Sequence, residues 1–225
     1  MDFESKELGP PIFTKKIRDT TDDAKSFRFV PNQQVIVSKA SYLFSHAFGE
    51  GGSLSNEGLN IGSGSLHITH LAISTNETHG TIIACTLLDG SIGLVSFERW
   101  VILALYDPGS WRNSKFSPPS CLALRMRETE NDLATCLIFY GDTESKSISV
   151  IKPVSVSVAV SVAVVPSLGI PIDVALSTKA LIIVGSGGVR VRDLEMMMAL
   201  PPPGDLASSG SIDPSLAISN TKRFP

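Results

Sequence analysis

The sequence has no marked excess of charge of either sign. Its 19 lysines and arginines nearly balance its 22 aspartates and glutamates, which gives a formal net charge of −3 at pH 7. A strongly basic chain is typical of proteins that bind nucleic acid, so this composition argues against a nucleic-acid partner. Charged residues are also scarce, at 18% of the chain against 43% hydrophobic residues. This ratio favours a folded chain over a disordered one.

Cysteine is scarce as well, and a secretory signal is lacking. The three cysteines, Cys85, Cys121 and Cys136, all lie inside apolar runs, and an odd and sparse set does not make a disulfide framework. We expect buried free thiols in a reducing compartment. The N-terminal stretch MDFESKELGPP is acidic and polar rather than apolar. We therefore expect a cytoplasmic or nuclear protein.

Helical periodicity is nearly absent from the chain. One uncharged run, residues 153–172, has nearly the length of a membrane span. It contains three prolines, and its apolar residues recur at every second position, which is typical of a strand rather than a spanning helix. The sequence therefore predicts an all-β fold of antiparallel sheets and no membrane partner.

Within that run, residues 154–165 alternate valine with serine or alanine, and valine holds every even position from 154 to 164. A sheet with a solvated face would carry charged or large polar residues on that face. We therefore expect both faces of this strand to be covered by other layers. Because the segment is longer than most strands, it is expected to bend or divide.

The stretch TIIACTLLDGSIGLVSFERW, residues 81–100, predicts a β-hairpin. Two apolar runs rich in β-branched residues flank Asp89 and Gly90. An Asp-Gly pair between such runs favours a tight turn, in which both central residues reach positive φ.

This pattern of strand, turn, strand, turn and strand recurs along the chain. It begins near Ile68, Cys121 and Ile172, at intervals of 53 and 51 residues. The runs SFRFV, QVIVS and SYLFSHAF, all before residue 49, are interpreted as a degraded fourth copy. The last of these runs could also form a short helix.

The three copies resemble blades of the WD40-repeat β-propeller family. The similarity is best at HITHLAISTNETHGTIIACTLLDGSIGLVSF, where an inner strand, a turn, a second strand and a tight Asp-Gly turn follow in the family's order. Arg192 and Asp193 stand where the family's Trp-Asp pair usually ends a third strand, and the signature residues are otherwise eroded. The resemblance covers about residues 65–200 and implies blades of antiparallel sheet around an axis.

The resemblance also implies an incomplete ring. A propeller closes with about four to eight blades, whereas this chain has three clear blades and one degraded blade. A longer parent chain or self-association would complete the ring. We assign residues 26–200 to the propeller segment, residues 1–25 to a flexible N-terminal arm and residues 201–225 to a disordered C-terminal tail.

The function implied by the resemblance is that of a non-enzymatic scaffold for partner proteins, and a substrate-recruiting adaptor is a further expectation from family analogy. Aromatic and arginine side chains are the usual anchors of protein interfaces, and several cluster in and beside the connection after the first copy. The predicted partner-binding residues are Arg99, Trp100, Tyr106, Trp111, Arg112 and Phe116. The tryptophans could instead pack over the end of a blade, and that alternative stays open.

Residues capable of chemistry do not assemble into a site in the sequence. His67 and His70 point to opposite faces of a strand, so they do not converge with Cys85 on a metal. The stretch VGSGG is followed by a strand, not by the helix that a dinucleotide loop needs, and a Gly-x-Ser-x-Gly elbow is absent. We predict no catalytic residue, no metal and no cofactor. A propeller or sandwich hydrolase and a carbohydrate-binding sandwich are the alternatives.

Overall fold

The computed structural model describes seven segments of the chain: residues 26–30, 34–47, 58–62, 66–76, 80–110, 119–126 and 136–194. The predicted N-terminal arm and C-terminal tail lie outside the described residues. Within these segments the chain forms β-strands and one short 3-10 helix, Pro108–Ser110. The predicted all-β class is therefore confirmed.

The strands form four antiparallel sheets in chain order. The first sheet consists of β1 (Ser26–Val30), β2 (Gln34–Lys39), β3 (Tyr42–Ala47) and β4 (Leu59–Asn60). The second consists of β5 (Ile68–Asn76), β6 (Gly80–Leu87), β7 (Ile92–Ser96) and β8 (Val101–Tyr106). The third consists of β9 (Pro119–Met126), β10 (Cys136–Asp142), β11 (Ser147–Pro153) and β12 (Ala159–Pro166). The fourth consists of β13 (Pro171–Leu176), β14 (Ala180–Gly185) and β15 (Gly188–Asp193).

The three predicted repeats correspond to the second, third and fourth sheets. The degraded copy before residue 49 is a real sheet, and its last run forms the strand Tyr42–Ala47 rather than a helix. In each sheet every strand pairs with the strand that precedes it in the chain. Neighbours in sequence are thus neighbours in space, as short turns between antiparallel strands require.

The predicted hairpin turn joins β6 to β7. The Gly90 amide donates to the Leu87 carbonyl at 2.9 Å, and the Ser91 amide donates to Oδ1 of Asp89 at 2.9 Å. Gly90 has a φ of +86°, whereas Asp89 is not among the residues with positive φ. The expectation that both central residues have positive φ is therefore wrong. The turn has a three-residue loop that ends in a left-handed glycine.

The first strands of the four sheets lie side by side. β1 contacts β5, β5 contacts β9, and β9 contacts β13. Each sheet therefore packs face to face on the next, with an apolar cluster between each successive pair. This is the arrangement of propeller blades around an axis, and the ring is not closed within the described residues.

The unbroken apolar run of β6 follows from this stacking. Ile82 and Ala84 pack between the second and third sheets, while Ile83 and Cys85 pack between the first and second. A strand covered on both faces has no position for a solvated side chain. The run is therefore a direct consequence of an interior position in the stack.

The valine-rich segment 154–165 behaves differently from the prediction. It divides, as expected, because residues 154–158 form a turn closed by hydrogen bonds from the Val154 and Ser155 amides to the Val158 carbonyl. The remainder is β12, and Val164 on this strand is 60% exposed. The expectation that both faces are covered is wrong. β12 is the outermost strand of its sheet, where neighbouring sheets diverge and leave side chains in solvent.

In the described part of the chain, no helix is both long and apolar enough to cross a lipid bilayer.

Candidate protein-interaction surface

The turn from Phe97 to Trp100 connects the two outer strands of the second sheet, β7 and β8. The Phe97 and Trp100 rings meet edge to face, with centroids 6.2 Å apart and planes at 84°. Both side chains pack against the apolar cluster between the first and second sheets. The carboxylate of Glu98, in the same turn, accepts a hydrogen bond from the Thr81 amide at 2.7 Å. The packing of the two rings and the hydrogen bond of Glu98 therefore both fix the turn to the sheet.

Two of the predicted contact residues lie on this turn. Arg99 is exposed, and its backbone amide donates to Oγ of Ser96 at 3.3 Å. Trp100 is half-buried and has a φ of +53°. A left-handed conformation is uncommon for a bulky residue and is found preferentially at functional sites. The turn thus presents a charged tip beside an anchored aromatic ring.

A third predicted contact residue, Tyr106, lies at the end of β8 and is completely buried. It belongs to the cluster between the second and third sheets, together with Leu94 and Ile138. A register shift between Leu94 and Val95 changes the phase of β8 so that Ala104 and Tyr106 face inward. In this structure Tyr106 is therefore a core residue and not part of the surface.

The other three predicted contact residues, Trp111, Arg112 and Phe116, lie outside the described residues.

The outer strand β8 exposes aliphatic side chains next to the Arg99 turn. Val101, Ile102 and Leu105 are each at least 40% exposed. β8 is the last strand of its sheet, so one edge of its backbone has no pairing strand within that sheet. Its only described support on that side comes from the third sheet.

That support is the turn at residues 154–158. The Leu105 amide donates to the Val156 carbonyl at 3.4 Å, which places the two segments side by side. Oγ of Ser155 accepts hydrogen bonds from the Val158 amide at 3.1 Å and from the Ser157 amide at 3.4 Å. The Ser155 hydroxyl therefore helps to close the turn while the valines project into solvent, and Val156 is 64% exposed.

We call the combined surface the outer apolar patch. Its members are Val101, Ile102, Leu105, Val154, Val156 and Val158. They border one edge of the second sheet, and the consecutive residues Val101 and Ile102 project to opposite faces of β8. Exposed apolar side chains grouped in this way mark interaction surfaces more often than isolated ones do. Sequence reasoning missed this patch because it interpreted the valines as the inside of one long strand. The sequence signal that could have revealed it is Ser155 and Ser157, which suit a turn as well as a strand.

A cluster of polar residues around His70 lies where the first strands of the four sheets meet. Burial and then the positive charge of Arg28 lower the pKa of His70, while a backbone hydrogen bond with Ser120 and the charge of Asp173 oppose that shift. These four residues belong to β5, β1, β9 and β13 respectively, one from each sheet. The imidazole is therefore held in a neutral state near the axis. His70 Nδ1 also lies 3.2 Å from Oγ1 of Thr69.

The remaining candidate chemistry is weak. Burial raises the pKa of the Cys85 thiol to about 12 and that of Cys121 to about 11, so neither is a nucleophile at neutral pH. Within the segments that the structure describes, no group of three or more His, Cys, Asp and Glu side chains could hold a metal ion. Asp89, which a hydrolase could use, is engaged with the Ser91 amide in the hairpin turn.

Comparisons with known proteins support the fold. The chain is similar to the crystal structure of the WD40 beta propeller domain of Doa1, with a TM-score of 0.51 and 14% sequence identity. The similarity covers 79% of this chain and 53% of that chain, so this chain spans about half the length of the domain it matches. Neither a family model nor a curated protein matches the sequence. Identity this low establishes a fold and nothing about partners.

Proposed function

We propose that the chain is a non-enzymatic scaffold for protein–protein interaction, because it has a divergent WD40-like β-propeller fold whose ring is not closed within the described residues. Propeller folds of this type typically bind other proteins on their loops and sides. The observation that carries the proposal is the outer apolar patch, which lies on the strand β8 and on the turn at residues 154–158 that is hydrogen-bonded to it. In the finer version of the proposal, the protein recruits substrates as an adaptor in the cytoplasm or nucleus.

The mechanism proposed for the scaffold is rigid presentation. The patch contributes aliphatic side chains from two sheets, and the adjoining turn contributes the Arg99 guanidinium and the Trp100 ring. Protein interfaces usually have an apolar core, and aromatic and arginine side chains are enriched among their anchor residues. Because the sheets position these groups before binding, little conformational entropy is lost on association. A partner with an apolar docking surface fits this arrangement.

The proposal extends to three residues of the connection after β8. Trp111, Arg112 and Phe116 follow the 3-10 helix Pro108–Ser110 within a few residues. We propose that they contribute further partner contacts. The domain assignment of residues 26–200 as the scaffold, with segments 1–25 and 201–225 as appendages, is proposed on the same basis.

A photo-crosslinking experiment tests the proposal. A benzophenone amino acid placed at position 102 is expected to crosslink specific proteins in cell extract, and Val156→Asp in the same chain is expected to reduce that crosslinking at least about tenfold. The matched control places the benzophenone at Val164, which is exposed on the outer strand of the third sheet, outside the patch. Equal products from positions 102 and 164 would contradict an interaction role for the patch.

An activity screen tests the non-enzymatic part of the proposal. The chain is expected not to hydrolyse esters or glycosides above the uncatalysed rate. Turnover that disappears in Asp89→Asn or His67→Ala would identify a hydrolase instead and would overturn the proposal.

A further inference from the structure

The fourth sheet has one covered face and one open face. Val174, Leu181 and Ile183 on the covered face are buried against the third sheet. On the opposite face the register pairs Ile182 with Val191 and Val184 with Val189, so these four side chains lie on one surface. Val189 and Val191 are 59% and 53% exposed. We call Ile182, Val184, Val189 and Val191 the open face.

The four aliphatic residues of the open face are of the kind found at the internal contacts between sheets, and Ala175 and Asp173 of β13 lie on the same face opposite Ile182 and Val184. In the second and third sheets, the strands β6, β7 and β10 are almost entirely buried because each of their faces meets another sheet. The open face carries the same branched aliphatic residues without a described sheet on top of it. Val189 and Val191 are exposed and Ile182 and Val184 are half-buried, and the apolar surface they leave in water carries an unfavourable free energy that a covering sheet would remove.

The first sheet has a comparable surface at the other end of the stack. Ile36 and Leu43 are buried against the second sheet. The opposite face carries Val35, Val37, Lys39, Tyr42 and Phe44, since the register pairs Lys39 with Tyr42 and Val37 with Phe44. The Tyr42 and Phe44 rings stack with centroids 6.3 Å apart, and Tyr42 is 41% exposed. We call these five residues the first-sheet outer face.

Within the described residues, no further sheet follows Leu194. The region of similarity to the Doa1 domain covers 53% of that chain. Two such arcs, at twice 53%, correspond to about the whole length of that propeller domain.

We propose that two copies of this chain close one ring. The open face of each copy packs on the first-sheet outer face of the other, which makes two identical junctions related by a two-fold axis. Each junction stacks a fourth sheet on a first sheet in the way that successive sheets stack within the chain. The ring contains eight sheets, within the range in which propellers close. This inference does not depend on the proposed scaffold function or on the outer apolar patch.

The mass of the purified chain in solution is the first test. Light scattering after size exclusion, together with sedimentation equilibrium, is expected to give about 48 kDa, which is twice the 24.0 kDa of one chain. Val191→Lys places a charge in both junctions and is expected to raise the dimer dissociation constant about 100-fold. Val164→Lys, at a valine of similar exposure outside both faces, is the matched control and is expected to leave the mass unchanged.

Mixing two variants tests the pairing of unlike faces. Tyr42→Lys damages the first-sheet outer face, so alone it is also expected to give monomers. A dimer between one Val191→Lys chain and one Tyr42→Lys chain retains one junction in which both faces are intact. Mixing the two monomeric variants is therefore expected to restore association. Far-UV circular dichroism of each variant verifies that its sheets remain folded.

The outcomes separate clearly. A chain that stays at 24 kDa at every concentration overturns the proposal, and the covering sheets would then come from a longer parent chain or another protein. A dimer that is unaffected by Tyr42→Lys or by Val191→Lys also overturns it, because the two faces would not form the junction. A failure of the mixed variants to associate excludes the head-to-tail arrangement.

Discussion

At the scale of single residues, burial determines which side chains can react. Cys85 is completely buried, and its sulfur donates to the Gly93 carbonyl at 3.5 Å. Burial raises the pKa of Cys85 to about 12 and that of Cys121 to about 11, because a thiolate loses its hydration inside the apolar stack. A raised pKa leaves these thiols protonated throughout the physiological range.

We therefore expect iodoacetamide at pH 8 to modify Cys85 and Cys121 in the native chain at least about 100-fold more slowly than in the chain unfolded by guanidinium. Peptide mass spectrometry distinguishes the two sites. The rate in the native chain should rise only as the pH approaches the raised pKa values. Rapid modification of either thiol at pH 8 without unfolding would contradict the burial described here.

The predicted contact residues show how far the type of a residue predicts its place in an interaction site. The sequence selected Arg99, Trp100 and Tyr106 because aromatic and arginine residues anchor interfaces. The structure presents Arg99 on a turn but buries Tyr106 in the core. The difference comes from the register shift in β8, which depends on the pairing with β7. Residue type indicates what a side chain can contact, whereas strand pairing decides which way it points.

At the scale of elements, position within a sheet decides which face of a strand is buried. Residues 159–166 form the outer strand of the third sheet, and a register shift between Val150 and Ile151 of β11 interrupts the pairing. The even-numbered valines are consequently not the buried set. Val165 is 5% exposed, whereas its neighbour Val164 is 60% exposed. The alternation in the sequence predicted a strand correctly but assigned burial to the wrong residues.

Alanine substitution of these two neighbours tests that assignment. Val165→Ala is expected to lower the free energy of unfolding by about 2 kcal/mol, because it removes two buried methyl groups and leaves a cavity. Val164→Ala is expected to lower it by about 0.5 kcal/mol or less, because its methyl groups are already in solvent. Urea unfolding of both variants provides the measurement. Equal losses, or a larger loss at position 164, would mean that β12 faces the other way.

At the scale of the whole molecule, the stack brings residues that are far apart in sequence to the same axis. His70 interacts with Arg28, Ser120 and Asp173, and each of these comes from a different sheet. Burial and Arg28 hold the pKa of His70 below its ordinary value of 6.5. The axial histidine is therefore a probe of whether the sheets assemble as described.

Stability should consequently depend on pH through His70. Below about pH 6.5 the histidine of the unfolded chain binds a proton while that of the folded chain does not, so the free energy of unfolding falls as the pH is lowered. Between pH 7.5 and 5.5, His70→Asn is expected to make the decrease in the free energy of unfolding smaller, by no more than about 1.4 kcal/mol. Urea unfolding of the parent chain and the variant at the two pH values measures this difference. An identical pH dependence in the parent chain and the variant would contradict a lowered pKa.

Strand periodicity and turn chemistry act over a few neighbouring residues, so the all-β class, the hairpin at Asp89-Gly90 and the repeating unit were predictable from local patterns. The structure was needed to show that the degraded copy before residue 49 belongs to a four-stranded sheet, that the valine segment folds back into an exposed turn, and that Tyr106 lies inside. The open faces at the two ends of the stack also became visible only there. Which face of a strand meets another sheet depends on contacts between residues distant in sequence, and local patterns do not encode those contacts.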